Sequence, residues 1–335
     1  MPPEYLAAVL PGLEPVLVSE VRAKVPGAVP AEVLRGRVVL GLAADPQALL
    51  ALRTADNIYR LLGRLRAGPH RTDLPDLQAQ VAALPLAGLR PPEGGFHVNA
   101  SRAGRHTYSR FAAAAAAAAG LEARGWRPGT PTQHELEFRL DVVGEAALFS
   151  VRLTPPAFRF RAADRAFTRA ALRPTVAHGL VWLTAPGAGD RFLDPFCGSG
   201  TILAERLAYP AAAVRGGDIA AQAVEAAQRN AGGAGRAEVR QWDALRLPLD
   251  AASVTRVATN LPFGRQHGSP GEVEGLYRGF AAELRRVLAP GGLAVVLTDQ
   301  GEALAAAAAA AGLRCRELLL LSLKGLHPRV HRLEP

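Results

Sequence analysis

A short apolar segment ending in Asp194, a Gly198-Ser199-Gly200 turn and a helix-forming run from Thr201 leave the second half of this chain few choices of fold. Units of strand, glycine turn and helix join parallel strands, and parallel strands need cover on both faces. The pattern then repeats. Strand character near Val214–Gly217 precedes a helix over 220–230, and strands follow at Glu238–Gln241 and Val254–Thr259. A helix over 275–288 and a strand at Leu293–Thr298 complete the alternation. The rhythm predicts an α/β domain built on a doubly wound parallel sheet. Cys315–Leu323 and Arg329–Leu333 are expected to close it as an antiparallel pair.

The first half has no such rhythm. Apolar Tyr5–Val9, a helical pattern through Val16, Val18, Val21 and Val25, and strand character at Arg37–Leu42 predict a small α+β unit. Ala48–Leu65 is expected to be helical, and Pro69–Pro75 punctuates the chain. A second unit opens with a helix near Leu77–Leu84, then a strand at Phe96–Ala100 and a helix over the alanine run at 112–119. Leu136–Val142 and Ala147–Leu153 read as paired strands, and a helix is expected from Thr175 to Leu183. Between them Arg159–Arg173 sets five arginines against one acid, Asp164. The expected blocks are therefore 1–65, 66–155, a linker at 156–174, and 175–335.

The formal charge is +9, and only Lys24 and Lys324 among 39 basic side chains are lysines. The planar fork of arginine matches phosphate, so the balance favours a polyanionic partner such as nucleic acid. Cys197 and Cys315 cannot build a disulfide framework or a structural zinc site, which points to a reducing cytoplasm. The N-terminus carries Glu4 and Glu14 without a basic lead-in, unlike a signal peptide. The alanine runs are short of the roughly 20 apolar residues that span a bilayer, so no membrane contact is expected. Eight histidines show no metal-ligand spacing, so no metal is expected, and His178 reads as a structural residue on its helix.

The chemistry concentrates at strand ends. The glycines after Asp194 let a ligand approach the backbone, and Asp218 and Asp243 follow two further strands, where carboxylates can accept from ribose hydroxyls. A nicotinamide site needs a third glycine where Leu203 stands. Asn260-Leu261-Pro262-Phe263 follows the strand Val254–Thr259 and so projects into the same crevice. An exocyclic base amine is a poor nucleophile because its lone pair is delocalised. The Asn260 side-chain carbonyl and the Leu261 backbone carbonyl can accept its two hydrogens and aim the nitrogen, while Pro262 fixes the turn and Phe263 offers a stacking face. Together the two motifs suggest methyl transfer from S-adenosylmethionine to an amino group of a base. No cysteine accompanies the second motif, which disfavours methylation at a pyrimidine C5.

Asp194-Pro195-Phe196-Cys197-Gly198-Ser199-Gly200-Thr201 with Asn260-Leu261-Pro262-Phe263-Gly264 resembles class I S-adenosylmethionine-dependent methyltransferases of the N-P-P-Y/F group. Leu261 departs from the usual proline, but only its backbone carbonyl is used. Phe96-His97-Val98-Asn99-Ala100-Ser101-Arg102 through Ser109 resembles the signature of a THUMP domain. Leu10–Glu14 and Leu52–Asn57 are similar to the ferredoxin-like segment that precedes THUMP, and Arg173-Pro174-Thr175 to the lead-in of the methyltransferase domain. Over nearly the whole chain the resemblance is to the tRNA guanine-N2 methyltransferases that act at position 6.

That resemblance implies a Rossmann-like C-terminal domain after ferredoxin-like and THUMP domains. It implies that Asp194, Pro195, Phe196, Cys197, Gly198, Ser199, Gly200, Asp218, Ile219, Asp243, Ala244 and Asn260 hold S-adenosylmethionine, released as S-adenosylhomocysteine. Asn260, Leu261, Pro262 and Phe263 would be catalytic, and Arg102, Arg105, His106 and Arg110 would contact RNA. The expected partner is the acceptor end and 3′ terminus of tRNA, whose guanosine must flip out because a paired base in an A-form stem is inaccessible. A cytoplasmic monomer is the expectation. Two alternatives remain at this point: a ribosomal-RNA guanine-N2 methyltransferase, and a non-catalytic tRNA-binding module with a vestigial pocket. The intact set of strand-end acids, glycines and Asn260 argues against the second.

Overall fold

Two seven-stranded sheets organise the residues that the computed structural model describes, namely 2–86, 88–161, 172–263, 270–323 and 325–335. Asp164, Arg165, Arg169 and Gly264 lie outside the described residues. Two compact units hold one sheet each. Unit 1 comprises Met1–Ala8, Val25–Ala51 and Asn57–Pro155; unit 2 comprises Val9–Lys24, Leu52–Asp56 and Pro156–Pro335.

In chain order the first part forms β1 (Glu4–Ala8), α1 (Glu14–Lys24), β2 (Val29–Leu34), β3 (Arg37–Gly41), β4 (Asn57–Arg66) and α2 (Leu74–Ala83). It continues with β5 (Phe96–Ala103), α3 (Arg110–Glu122), β6 (Leu136–Val143) and β7 (Ala146–Arg152). All of these except α1 belong to unit 1. Its sheet runs β2-β3-β1-β4-β7-β6-β5, antiparallel throughout except for the parallel pair β5 and β6.

The helix expected over Ala48–Leu65 is corrected: a short 3₁₀ turn at Pro46–Ala51 leads into β4. β4 sits mid-sheet between β1 and β7, with Ile58 and Tyr59 buried, so ladder bonds on both edges outweigh the helix propensity of its Leu and Arg residues. The edge strand β2 was not anticipated either. The alanine run does form a helix. Ser109 caps α3, accepting from Ala112 N at 3.2 Å, and Ala113, Ala117 and Leu121 face the core. Gly120 brings α3 tightly against α2, since a Cβ there would lie 2.6 Å from Gln78 O. Phe96, Trp126, Phe138 and Phe149 fill this core, with Phe138 stacked on Phe149 at 5.4 Å.

Unit 2 adds α4 (Pro174–Leu183), β8 (Arg191–Asp194), α5 (Thr201–Arg206), β9 (Ala213–Asp218), α6 (Ala221–Ala231) and β10 (Glu238–Gln241). Then come β11 (Val254–Asn260), α7 (Pro270–Val287), β12 (Leu288–Thr298), α8 (Gly301–Ala310), β13 (Arg314–Leu320) and β14 (Arg329–Glu334). The sheet order is β10-β9-β8-β11-β12-β14-β13, parallel from β10 to β12, with β14 antiparallel between β12 and β13. The expected doubly wound fold and its antiparallel closure are present, although β12 starts five residues before the predicted Leu293. Chain order reverses between β8 and β11. Ligands of such sheets bind at this reversal, outside the carboxyl ends of the strands.

α1 and the segment 52–56 are built into unit 2 by a buried polar network. Glu20, fully buried, accepts from Lys24 Nζ at 2.7 Å, Arg53 N at 2.8 Å and Thr54 N at 2.9 Å. His178 on α4 bonds Thr54 Oγ1 at 2.9 Å and Tyr209 OH at 2.6 Å, and burial pulls it down to about 3, so the ring is neutral. Glu205 on α5, also buried, accepts from Arg53 Nε at 2.9 Å and Arg161 Nε at 3.4 Å. The structural reading of His178 thus gains a specific content: it ties the N-terminal segments to the helix preceding β8.

Candidate active site

β8 carries its chain into the reversal point and ends at Asp194, whose side chain is buried. Its Oδ1 accepts from Thr259 Oγ1 on β11 at 2.8 Å and from Phe196 N at 3.3 Å. Burial pushes the carboxyl group up to about 7, with the nearby Asp218 adding to the rise and the two donors opposing it. The following turn reverses through two left-handed glycines, Gly198 at φ +51° and Gly200 at φ +78°. A Cβ on Gly200 would come within 3.0 Å of Ala227 Cα on α6, so both conformation and space demand glycine there.

The turn is held from β9 and α6. Cys197 N donates to Gly217 O at 2.9 Å, Gly198 N to Asp218 Oδ2 at 3.0 Å, and Asn230 Nδ2 to Ser199 O at 2.8 Å. Asp218 also accepts from Ala220 N at 3.0 Å, yet a carboxylate has lone pairs to spare for two hydroxyls. Ile219 beside it is 71% exposed, an apolar face at the strand end. Asp243 is exposed and accepts from Leu245 N at 2.9 Å, while Ala244 is buried. Trp242 was missed by the sequence reading. It is buried with its indole N–H on Pro195 O at 3.3 Å, so it braces the turn from the third strand. Phe196 packs edge-on against Phe280 of α7 at 5.4 Å. The thiol of Cys197 is pushed up by burial and is free, as is Cys315.

Asn260 ends β11, with Leu261 fully buried and Leu261 N donating to Leu297 O at 3.0 Å. Pro262 and Phe263 are half-buried. Tyr277 of α7, also missed, donates its hydroxyl to Pro262 O at 3.0 Å and shares a 2.7 Å bond with Thr298 Oγ1. The only sequence signal for it was an aromatic on the apolar stripe of α7. Two buried acceptors at the reversal, Asp194 Oδ2 and Asn260 Oδ1, have no partner among the described residues. Orphaned buried acceptors are costly, and the pair fits a ligand that brings N–H or ammonium donors.

The basic candidates lie in unit 1: Arg102 near the end of β5, Arg105 and His106 on the connection that follows, and Arg110 at the start of α3. Arg105 and Arg110 are exposed, and Arg110 stacks over the exposed ring of Phe111 at 4.7 Å. Arg102 and His106 are half-buried and shape the loop: Arg102 Nη1 donates to Gly104 O at 3.2 Å, and His106 Nε2 meets Gly144 O at 2.7 Å. Among the described residues no cluster of His, Cys, Asp or Glu can hold a metal ion, and no helix is long and apolar enough to cross a membrane.

A sheet of this order, with a glycine turn after its central strand, defines the class I methyltransferase fold. Residues 161–329 match the RMKL-like methyltransferase domain, and the chain belongs to that family. It is 32% identical over 333 residues to a tRNA (guanine(6)-N2)-methyltransferase of Thermus thermophilus, covering 97% of each chain. The crystal structure of TrmN from Thermus thermophilus superposes with a TM-score of 0.82 at 30% identity over 99% of both chains. A Bos taurus tRNA (guanine(6)-N(2))-methyltransferase is 29% identical over 71% of this chain, which spans 51% of that protein's length. The protein is a methyltransferase that uses S-adenosylmethionine, whose ammonium suits the orphaned Oδ2 of Asp194.

Proposed function

We propose that the protein methylates N2 of a guanosine in tRNA, at nucleotide 6 of the acceptor stem, yielding N2-methylguanosine. The carrying observation is the unpartnered Oδ1 of Asn260, at the end of the strand next to Asp194, where an amine acceptor belongs beside the cofactor turn. The full-length likeness to a position-6 enzyme supports the choice of base and of RNA.

When bound, S-adenosylmethionine supplies an electrophilic methyl group on a sulfonium. The chain's residues do the rest by position. Asp194 receives the ammonium, Asp218 the ribose hydroxyls, and Ile219, Asp243 and Ala244 frame the adenine end. The remaining residues of the turn, from Pro195 to Gly200, hold the backbone close. Asn260 Oδ1 and Leu261 O accept the two amine hydrogens, which leaves the nitrogen lone pair pointed along the path of transfer, and Phe263 stacks on the extruded base. The proton lost after transfer leaves through Asn260, a carbonyl or water, so no strong base is required.

Residues 1–65 as a ferredoxin-like domain and 66–155 as a THUMP domain then serve to grip the acceptor end and 3′ terminus, with Arg105 and Arg110 on phosphates. Residues 156–174 serve as linker and 175–335 as the methyltransferase domain. A monomer working in the cytoplasm fits this role. The test is incubation with labelled S-adenosylmethionine and either unmodified tRNA or ribosomal RNA, followed by nucleoside mapping. N2-methylguanosine at nucleotide 6 of tRNA is the expected product; label confined to ribosomal RNA overturns the proposal.

A further inference from the structure

We propose that Asp299, at the carboxyl end of β12, accepts the N1–H of the target guanine and thereby selects guanine over bases that lack that hydrogen. The inference rests on the guanine-N2 reading above and deepens it.

The argument begins with topology. β11, which ends at Asn260, has β8 on one side and β12 on the other. Asp194 and Asp218 end β8 and β9, on the cofactor side. On the opposite side Asn260 pairs in register with Leu297, so Asp299 leaves the sheet beside Pro262. A directed chain of hydrogen bonds fixes the two strand ends together. Gln300 N donates to Thr298 Oγ1 at 2.9 Å, Thr298 Oγ1 meets Tyr277 OH at 2.7 Å, and Tyr277 OH donates to Pro262 O at 3.0 Å. Because Tyr277 gives its one hydrogen to Pro262, Thr298 is the donor to Tyr277, which leaves Thr298 free to accept from Gln300. Asp299 lies close enough to Tyr277 that its charge, after burial, helps push that hydroxyl up to about 12.

The carboxylate is also available. Asp299 is half-buried, and among the described residues it is held by its neighbour, with Gln300 Nε2 donating to Oδ1 at 3.2 Å. On guanine the N1–H is adjacent to the 2-amino group. With the amine hydrogens on Asn260 and Leu261, the next donor along that edge needs an acceptor at the flank of the motif, and an ionised carboxylate offers only acceptors. A base with a bare N1 lone pair meets repulsion there instead. Sites built to bond a substrate N–H reject analogues without it far more strongly than apolar pockets discriminate by size.

The discriminating probe is 2-aminopurine, which keeps the reacting 2-amino group and lacks the N1 hydrogen. Acceptor-stem RNA carrying guanosine or 2-aminopurine at nucleotide 6 is assayed with the wild-type enzyme, Asp299→Ala and Asp299→Asn. S-adenosylmethionine binding to each protein is measured separately by calorimetry. Wild-type kcat/KM should favour guanosine by about 100-fold or more. Asp299→Ala should lose about 10- to 100-fold on guanosine and little on 2-aminopurine. Asp299→Asn, whose amide can donate to N1, should narrow the preference further, with cofactor affinity unchanged in both variants. Equal losses on the two bases, or a wild type indifferent between them, overturn the assignment of Asp299. A wild type that binds the cofactor and methylates neither base overturns the guanine reading itself.

Discussion

Thr259 Oγ1 donates to Asp194 Oδ1 at 2.8 Å across the junction of β8 and β11, with both side chains buried. The bond satisfies one carboxyl oxygen, while Oδ2 has no described partner. Burial therefore wins, and the group titrates near neutrality, at about 7. A cation entering the crevice reverses that balance by favouring the ionised form.

Cofactor binding should be coupled to proton release from Asp194. In the free protein the folded state holds this proton more tightly than the unfolded chain. The stability that Asp194 contributes is thus fully present below pH 3.8 and lost as pH rises through about 7. Affinity for S-adenosylmethionine should move oppositely, strengthening from pH 6 to 8, with roughly half a proton released per molecule bound at pH 7. Calorimetry in buffers of different ionisation enthalpy reads the release. Asp194→Asn should abolish it, and a wild-type affinity flat across this window contradicts the coupling.

Asn260→Ala should separate binding from chemistry. The change removes an acceptor at the end of β11 without touching the bonds of the Asp194 turn, so cofactor affinity should stay within about threefold while kcat falls about 100- to 1000-fold. Single-turnover methylation beside a binding titration measures both. A parallel loss of cofactor affinity argues that Asn260 serves the cofactor more than the amine.

Glu20→Ala should destabilise the methyltransferase unit although the residue lies far from the chemistry in sequence. It removes the acceptor of the Arg53 and Thr54 backbone N–H groups and the ion-pair partner of Lys24 Nζ, which keeps only its bond to Tyr209 OH at 2.6 Å among the bonds described. Removing one partner of a buried ion pair costs about 3–5 kcal/mol. Glu20→Gln, which retains an acceptor, should cost less. Urea denaturation at pH 7 gives both values, and a cost below about 1 kcal/mol for the alanine variant is incompatible with the network.

Arg105→Ala should weaken tRNA binding several-fold and reduce its dependence on salt by about one counterion, with S-adenosylmethionine affinity unchanged. Arg102→Ala should additionally loosen the loop, because Arg102 bonds Gly104 O at 3.2 Å. Binding titrations at several salt concentrations distinguish the two. An unaltered salt slope for Arg105→Ala removes it from the phosphate contacts.

The parts legible in the sequence were those fixed by short-range constraints. Asp194, Gly198 and Gly200 announce a strand-to-helix turn because left-handed backbone demands glycine, and Asn260 announces itself by following an apolar strand. Tyr277 and Trp242 were illegible because their roles depend on which strand ends the fold brings beside them. Ala48–Leu65 misled for the opposite reason. Its leucines and arginines favour a helix in isolation, and only a central place between β1 and β7 makes β4 a strand. Likewise nothing in the local pattern of Val16, Leu17 and Val21 reveals that α1 belongs with the sheet of the second unit.

That membership bears on how the protein is made. Lys24 of α1 meets Tyr209 across 185 residues of chain, so an emerging ribosomal product presents the helix long before its partners exist. At about 5–20 residues per second the wait is roughly 10–40 s. Throughout it, Val16, Leu17 and Val21, all buried in the finished molecule, lack the surface that finally covers them. A helix synthesised well before its partners is among the last to find its seat, and that interval is when a nascent chain of this protein is most exposed to chaperones and to self-association.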